Sequence, residues 1–274
     1  MLEKYSVLMS LYIKEKPEYL RSAIQSMVDQ TYAPDEIVIV KDGVITAELE
    51  SVLNDFSEKY PNLFNIVGYE KNSGLGVALN FGLESCRNEL VARMDTDDIS
   101  LLDRCETQMK VFEENPSFEI VGGDISEFVD KEDNIIAYRR VPEDDEAIKE
   151  YLKVRCPFNH VSVMYKKSAV LLAGGYLDLF WNEDYYLWIR MAEHGISMAN
   201  TGTVLVNVRT GADMYKRRGG KKYFASEKFL QNYMLEHKII GYGTYFLNMC
   251  KRFIVQILLP NGLRGWVFKK FARK

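Results

Sequence analysis

The chain has 274 residues and a formal charge of −4, and 47% of it is hydrophobic and 12% aromatic. That length fits one large domain or a domain with an appendage, and the apolar content excludes a disordered chain. Cys86, Cys105, Cys156 and Cys250 form no CxxC and no close pair, so they read as buried thiols in a reducing compartment rather than disulfides or zinc ligands. The first residues, MLEKYSVLMSLYIKEK, suit a strand better than a signal peptide, since Glu3 comes early and the apolar stretch is short. No apolar run approaches the roughly 20 residues that span a bilayer, and the expected location is the cytoplasm.

The small net charge conceals an asymmetry. Residues 214–274 hold 14 Lys and Arg against two acids, Glu227 and Glu236, a net of +12, which leaves −16 on the first 213 residues. An acidic body with a basic tail implies that the tail meets an anionic surface.

In chain order, SVLMSLY is a short β-leaning run. PEYLRSAIQSMVDQ follows with Leu20, Ile24, Met27 and Val28 at helical spacing. EIVIVKDG is a second strand, AELESVLNDFSEKY a second helix, LFNIVGYE a third strand, GLGVALNFGLES a third helix and ELVARM a fourth strand. This alternation predicts an α/β layer on a largely parallel sheet. Beyond residue 100 it loosens. DRCETQMKVFEENP reads as a helix, SFEIVGGDISEFVDKEDNIIAYRRV as strands around a turn at Lys131 to Asn134, and DDEAIKEYLKVR as a helix. HVSVMY reads as a strand, KSAVLLAGGY as a short helix ended by glycines, and the basic tail as two or three helical stretches. The division expected is a nucleotide-binding domain over 1–213 and a basic helical extension over 214–274.

Ligands of such sheets sit beyond the carboxyl ends of the strands. Four segments fall there: Tyr12 to Glu15, Lys41-Asp42-Gly43, Lys71 to Gly74, and Asp95 to Asp98. Asp95 and Asp97, two apart at strand spacing, project to one side and can converge on a hard cation such as Mg²⁺ or Mn²⁺. The alternative is a solvated turn in which Asp98 or Ser100 caps the next helix. Asp42 suits hydrogen bonding to a base or ribose, or an ordinary turn, and Tyr12 suits stacking on a base, or plain packing. KNSGLGVALN lacks the GxxxxGK[ST] and GxGxxG spacings, which leaves Asn72 near a loop-to-helix junction with Gly74 and Gly76 allowing close backbone approach.

In LFWNEDYYLWIRM, Asn182 is a good N-cap, and Glu183 and Asp184 suit the helix dipole. The same two acids beside Phe180, Trp181 and Trp188 also suit a desolvated general base acting on a hydroxyl. His160 reads as a satisfied histidine, and His194 and His237 as surface residues. The end, KRFIVQILLPNGLRGWVFKKFARK, has seven Lys/Arg and no acid, interleaved with aromatics. It fits docking on anionic lipid, a helix packed on the body with snorkelling lysines, or nucleic-acid binding, with lipid preferred and nucleic acid set last.

SVLMSLYIKEKPEYLRSAIQSMVDQTYAPDEIVIVKDG, NSGLGVALNFGL, ARMDTDD and WNEDYYLWIRM, in this order and spacing, resemble a family 2 glycosyltransferase of GT-A fold over residues 4 to 210, nearest to bacterial surface and capsular polysaccharide enzymes. PFNHVSVMYKKSAVLLAGGY resembles the middle segment of the family. The resemblance implies a Rossmann-like nucleotide-binding sheet flanked by helices, and a hexosyltransferase-like, inverting, metal-dependent transfer from a nucleotide-diphosphate sugar, with a UDP-sugar the expected donor. The acceptor it implies is a glycan or lipid-linked saccharide in surface polysaccharide synthesis.

On this resemblance Tyr12 and Asp42 hold the base, Ser10, Leu11 and Glu15 line the same pocket, and Asn72 approaches the nucleotide or its phosphates. Asp95 and Asp97 take the D-x-D places with Mg²⁺ or Mn²⁺, Asp97 as the direct metal ligand. Asp184 takes the place of the catalytic base, with Glu183 as neighbour and substitute. Arg209, Arg217 and Arg218 are candidates to close over phosphate.

The pattern departs from the family at Ser10, where Pro is common, and at Leu79, where Arg is common. Q-x-x-R-W is absent, so a single-addition enzyme is expected, attached peripherally to the inner face of the membrane. The tail's aromatics leave oligomerisation open. A sugar-phosphate nucleotidyltransferase is a rival, although SVLMSLYIKEK lacks the glycine-rich triphosphate loop, as is a non-catalytic nucleotide-binding protein that docks on membranes.

Overall fold

The structure is a computed structural model that describes residues 3–211 and 219–259. The expected alternation is present: β1 (Tyr5–Leu11), α1 (Pro17–Val28), β2 (Glu36–Asp42), α2 (Ala47–Lys59), β3 (Phe64–Tyr69), α3 (Leu75–Ser85) and β4 (Leu90–Met94). Strands β3, β2, β1 and β4 lie side by side in parallel. Along β1 and β2 successive side chains enter different cores. Val7, Met9, Ile37 and Ile39 meet Leu20, Ile24, Leu49 and Val52 of α1 and α2, whereas Leu8, Val38 and Val40 meet Leu79 and Leu83 of α3. Burial on both faces is why these strands read as unbroken apolar runs.

The second half adds β5 (Ile99–Ser100), α4 (Arg104–Glu114), β6 (Ile120–Phe128), β7 (Ile135–Arg139), α5 (Asp145–Leu152), β8 (Met164–Lys166), α6 (Lys167–Leu172), α7 (Glu183–Glu193) and β9 (Met198–Arg209). Strand β8 runs antiparallel to β4 and β6, while β6 pairs with β9 in parallel and with β7 antiparallel. β5 is only two residues long, yet it pairs with β9 and so fastens the turn after β4 to the far side of the sheet.

Two expectations need correcting. HVSVMY is a strand only from Met164, because His160–Ser162 forms a 3₁₀ turn in which the Ser162 hydroxyl is held by the carbonyls of Gly123 and Asn159. The 12-residue β9 has no counterpart among the expected elements, since Asn, Thr and Gly interrupt its alternation.

The basic extension forms α8 (Lys221–Glu236), α9 (Tyr242–Phe253) and a short π-helical turn, Ile254–Leu258. α8 packs on the body: Leu230 and Met234 join the core that contains Trp188, and Tyr186 meets Phe229 and Tyr233 edge-on. Arg252 of α9 pairs with Glu227 at 2.5 Å and donates to the Val154 carbonyl. For the described residues, then, the helices of the tail pack on the body. Arg217, Arg218 and the run from Pro260 to Lys274 lie outside the described residues. No described helix is long and apolar enough to cross a membrane.

Candidate active site

The site lies beyond the carboxyl ends of the parallel strands, where the loops after β1, β2 and β4 meet. Asp95, Asp97 and Asp98 follow β4, and one carboxylate oxygen from each lies within 4.8 Å of the others. Asp98 is thus a third member of the group. It does not cap a helix, since the next helix starts at Arg104; its Oδ1 accepts the Arg209 N–H at 2.7 Å. Arg209 also donates from Nε to the Asp97 carbonyl at 3.0 Å and lies over the Tyr19 ring, 3.9 Å from its centroid. It braces the acidic turn through the Asp98 carboxylate and the Asp97 carbonyl.

The electrostatics of this turn are unbalanced. Burial, followed by the charges of Asp95 and Glu15, pushes the Asp97 carboxyl up to about 7. Burial, followed by Asp97 and Asp95, holds Asp98 well above the ordinary carboxylate range. Three acids so placed, Asp98 buried and Asp95 and Asp97 half-buried against their shared charge, fit a hard divalent cation as ligand set and as countercharge.

Thr96, buried between the aspartates, donates to Glu15 Oε2 at 2.8 Å, with the Ser10 carbonyl 3.5 Å away. One hydroxyl thereby ties the loop after β1 to the acidic turn. Tyr12 on that loop is 44% exposed, open to stack on a planar ligand. Leu11 is fully buried in the core, so its backbone is the part of it left to line the pocket.

Asp42 and Asn72 lie together and bond to each other. The Asp42 carboxylate accepts from Asn72 Nδ2 at 2.9 Å, Ser73 N at 2.7 Å and Gly74 N at 3.1 Å. In this structure it anchors the loop after β3. Gly43, at φ +89°, permits the approach, because a Cβ there would meet Asn72 N at 2.7 Å.

α7 opens with Glu183 and Asp184, and Glu183 lies within electrostatic reach of Arg93. Asn182 stands at the N-cap position but makes no capping bond; its Nδ2 donates to Ser226 Oγ of α8 at 2.9 Å, which corrects that expectation. Trp181 before it has φ +60°, a left-handed backbone that costs a bulky side chain about 1–2 kcal/mol. Lys222 lies over the Phe180 ring, so α8 grips this loop at two points. Burial, then the charge of Asp184, raises Glu183 to about 7. Asp184 Oδ1 accepts the Tyr185 N–H at 2.7 Å, and Oδ2 lies 4.0 Å from Cys156 Sγ.

His160 is half-buried, meets the Tyr176 hydroxyl through Nε2 at 3.0 Å, and is held well below its usual pKa by desolvation of its ring and then by Arg93. It is neutral and satisfied, as its sequence context implies. The four cysteines are free, and Cys250 is exposed, unlike the expected buried set.

Sequence reasoning passed over Thr96 and Arg93. Arg93 is 2% exposed, and its Nη2 meets Asp95 Oδ1 at 2.5 Å. The available signal was a lone arginine inside a strand buried on both faces.

A sequence profile described as Glycosyl transferase family 2 matches residues 6–172. The chain belongs to that family. An uncharacterized glycosyltransferase of Haemophilus influenzae is 44% identical, covering 99% of this chain and all of that protein. An Escherichia coli enzyme named UDP-Gal:alpha-D-GlcNAc-diphosphoundecaprenol beta-1,3-galactosyltransferase is 38% identical over 99% of this chain and 97% of its own length. Among solved structures, S. aureus TarS 1-349 in complex with UDP-GlcNAc superposes with a TM-score of 0.67 at 15% identity, covering 92% of this chain and 72% of that one. The fold of this family 2 glycosyltransferase is therefore GT-A, and membership in the family sets the nucleotidyltransferase reading aside.

Proposed function

We propose that the protein is an inverting, metal-dependent glycosyltransferase that moves a sugar from a UDP-sugar to a hydroxyl of a lipid-linked saccharide during cell-surface polysaccharide synthesis. The observation that carries this reading is the cluster of Asp95, Asp97 and Asp98 at the end of β4, with too little positive charge beside it and a second carboxyl pair at the head of α7. Asp97 and Asp95 would hold Mg²⁺ or Mn²⁺, with Asp98 as the third oxygen donor. When bound, the ion supplies positive charge to the departing diphosphate. A divalent ion is in keeping with a solved protein of the same fold, the mannosyltransferase PcManGT from Pyrobaculum calidifontis in complex with GDP-Man and Mn²⁺. That protein superposes with a TM-score of 0.58 at 15% identity, covering 96% of this chain and 72% of its own.

Ser10, the Leu11 backbone, Tyr12 and Glu15 form the nucleoside side of the pocket. Asp42 and Asn72 shape its rim through the loop they bind, and a base N–H would share an Asp42 oxygen with that loop.

Sequence pattern assigns the proton-accepting role to Asp184. The raised pKa of Glu183 supports Glu183 instead, because a base poised near 7 is free to take a proton from a hydroxyl at neutral pH. Asp184, engaged through both oxygens, then fixes the helix start. Attack from the face opposite the leaving diphosphate inverts the anomeric carbon.

UDP and a diphosphate-linked lipid acceptor are named in the 38%-identical relative, and that supports carrying both over to this chain. A lipid acceptor also suits the tail. α9 and the turn after it expose Tyr242, Phe246, Leu247, Ile254 and Leu258, and the chain continues with five Lys/Arg and no acid. This combination supports peripheral attachment to the anionic cytoplasmic leaflet.

The test is transfer from labelled UDP-sugars to a synthetic diphosphate-lipid GlcNAc acceptor with Mn²⁺, with the product anomer read by NMR. Transfer with inversion is expected. Retention of configuration, or undiminished transfer in EDTA, would contradict the mechanism.

A further inference from the structure

Arg93 is the charged side chain of an otherwise apolar β4, LVARM. Burying a guanidinium against one carboxylate is poor use of a core position, since an apolar side chain of similar volume often stabilises as well or better. Arg93 is also only partly satisfied. Nη2 reaches Asp95, while Nε and Nη1 are buried and lack hydrogen-bond partners among the described residues. Its backbone is secured independently, as its N–H donates to the Val163 carbonyl and its own carbonyl accepts from Arg104 Nη2. Nothing in the pairing of β4 therefore requires the guanidinium.

Its surroundings explain the position better. His160, Tyr165 and Tyr176 form a polar chain nearby, with the Tyr176 hydroxyl 3.0 Å from His160 Nε2 and 3.5 Å from the Tyr165 hydroxyl. Arg93 lies within electrostatic reach of those three groups, of Asp97 and Asp98, and of Glu183 at the head of α7. It is a buried cation beside the acidic turn, and its ion pair with Asp95 holds one oxygen of that carboxylate.

We propose that Arg93 is a positioning residue, which fixes the Asp95 carboxylate so that its other oxygen is presented to the metal–diphosphate of the donor. This rests on the reading that Asp95 and Asp97 hold the metal. Arg93 acts through Asp95 and touches no substrate. Lysine is not equivalent, since an ammonium on a flexible stem cannot reproduce the planar fork.

The test measures Mn²⁺ binding by electron paramagnetic resonance, with and without UDP, in wild type, Arg93→Lys, Arg93→Met, Asp95→Asn and the Arg93→Met/Asp95→Asn double variant. Wild type is expected to take up Mn²⁺ with UDP, Arg93→Met to bind it at least tenfold more weakly, and Arg93→Lys to fall between. In the Asp95→Asn background the Arg93→Met penalty should shrink below threefold, the non-additivity expected of two residues acting as one unit. In turnover, the donor and Mn²⁺ requirements should rise more than kcat falls.

Mn²⁺–UDP affinity within twofold of wild type in both Arg93 variants would overturn the proposal, as would an equal Arg93 penalty with and without Asp95. Where Arg93→Met fails to fold, Arg93→Lys keeps the buried charge and carries the test alone. A wild type that takes up no Mn²⁺ under any condition defeats the metal reading itself, a result distinct from unaffected Arg93 variants.

Discussion

Asp95, Asp97 and Asp98 crowd onto one turn beyond a strand, whereas Glu183 and Asp184 open a helix. The helix offers its acids backbone N–H groups and the positive end of a dipole, and the Asp184 carboxylate accepts one such N–H. The turn has no helix N-terminus. It has the Arg209 N–H on Asp98 and buried Arg93 on Asp95, while at Asp97 a backbone hydrogen bond and the charge of Arg93 are outweighed by burial and by the neighbouring acids, so that it rises to about 7. The two groups therefore await different things. The first lacks a multivalent positive charge, which a cation can supply, while the second lacks only a proton, which a reacting hydroxyl can supply.

That contrast is most exposed at Asp97. Asp97→Ala should lower transfer by about 10³-fold and abolish Mn²⁺-dependent nucleotide binding, measured by initial rates and calorimetry; nucleotide binding that kept its dependence on Mn²⁺ would undo the assignment. Next comes Glu183→Gln, expected to cost about 10²- to 10⁴-fold in kcat while leaving Mn²⁺–UDP affinity intact. Asp184→Asn should cost less, and the reverse order would return the base to Asp184.

The pH profile tests the second group. Glu183 is raised, and a base works only when deprotonated, so the rate should climb as pH rises through about 7 and level off above it. The same shift makes ionised Glu183 a cost to folding that grows as pH rises from the unfolded carboxyl range through 7. Glu183→Gln should therefore flatten the acidic limb of the residual activity and stabilise the protein at pH 8 relative to pH 5, as read by thermal melts at both pH values.

Smaller again is Asp42→Ala. Releasing Asn72, Ser73 and Gly74 should raise the donor KM about tenfold with little change in kcat, and make the loop after β3 more open to proteolysis. The smallest effect in a detergent-free assay with a soluble acceptor belongs to Phe246→Ser with Leu247→Ser on the exposed face of α9. Transfer should stay within twofold, while co-sedimentation with anionic vesicles falls about tenfold.

The first half of the fold was legible because β1, β2 and β4 are buried on both faces and each helix carries one apolar stripe. Val38 and Val40 on one side and Ile37 and Ile39 on the other give EIVIV its unbroken run. β9 was not legible, because its register comes from β6 and β5 rather than from its own alternation. In the site, the acids were visible as residues out of place in apolar surroundings, but their partners were not. That Asp42 would be taken up by loop N–H groups, that Asp98 would accept from Arg209, 111 residues away, and that Asn182 would bond to Ser226 instead of capping its own helix are products of tertiary contact. Spacing along the chain carries no trace of them.

Everything proposed for the mechanism depends on the acidic turn after β4 holding a metal–diphosphate. Thermal unfolding of wild type and Asp97→Ala with Mn²⁺, with UDP, and with both together reads this without any need for an acceptor. Wild type should be stabilised by the combination well beyond the sum of the two alone, and Asp97→Ala not at all. Equal stabilisation of both proteins, or stabilisation of wild type by UDP that EDTA leaves unchanged, would contradict it.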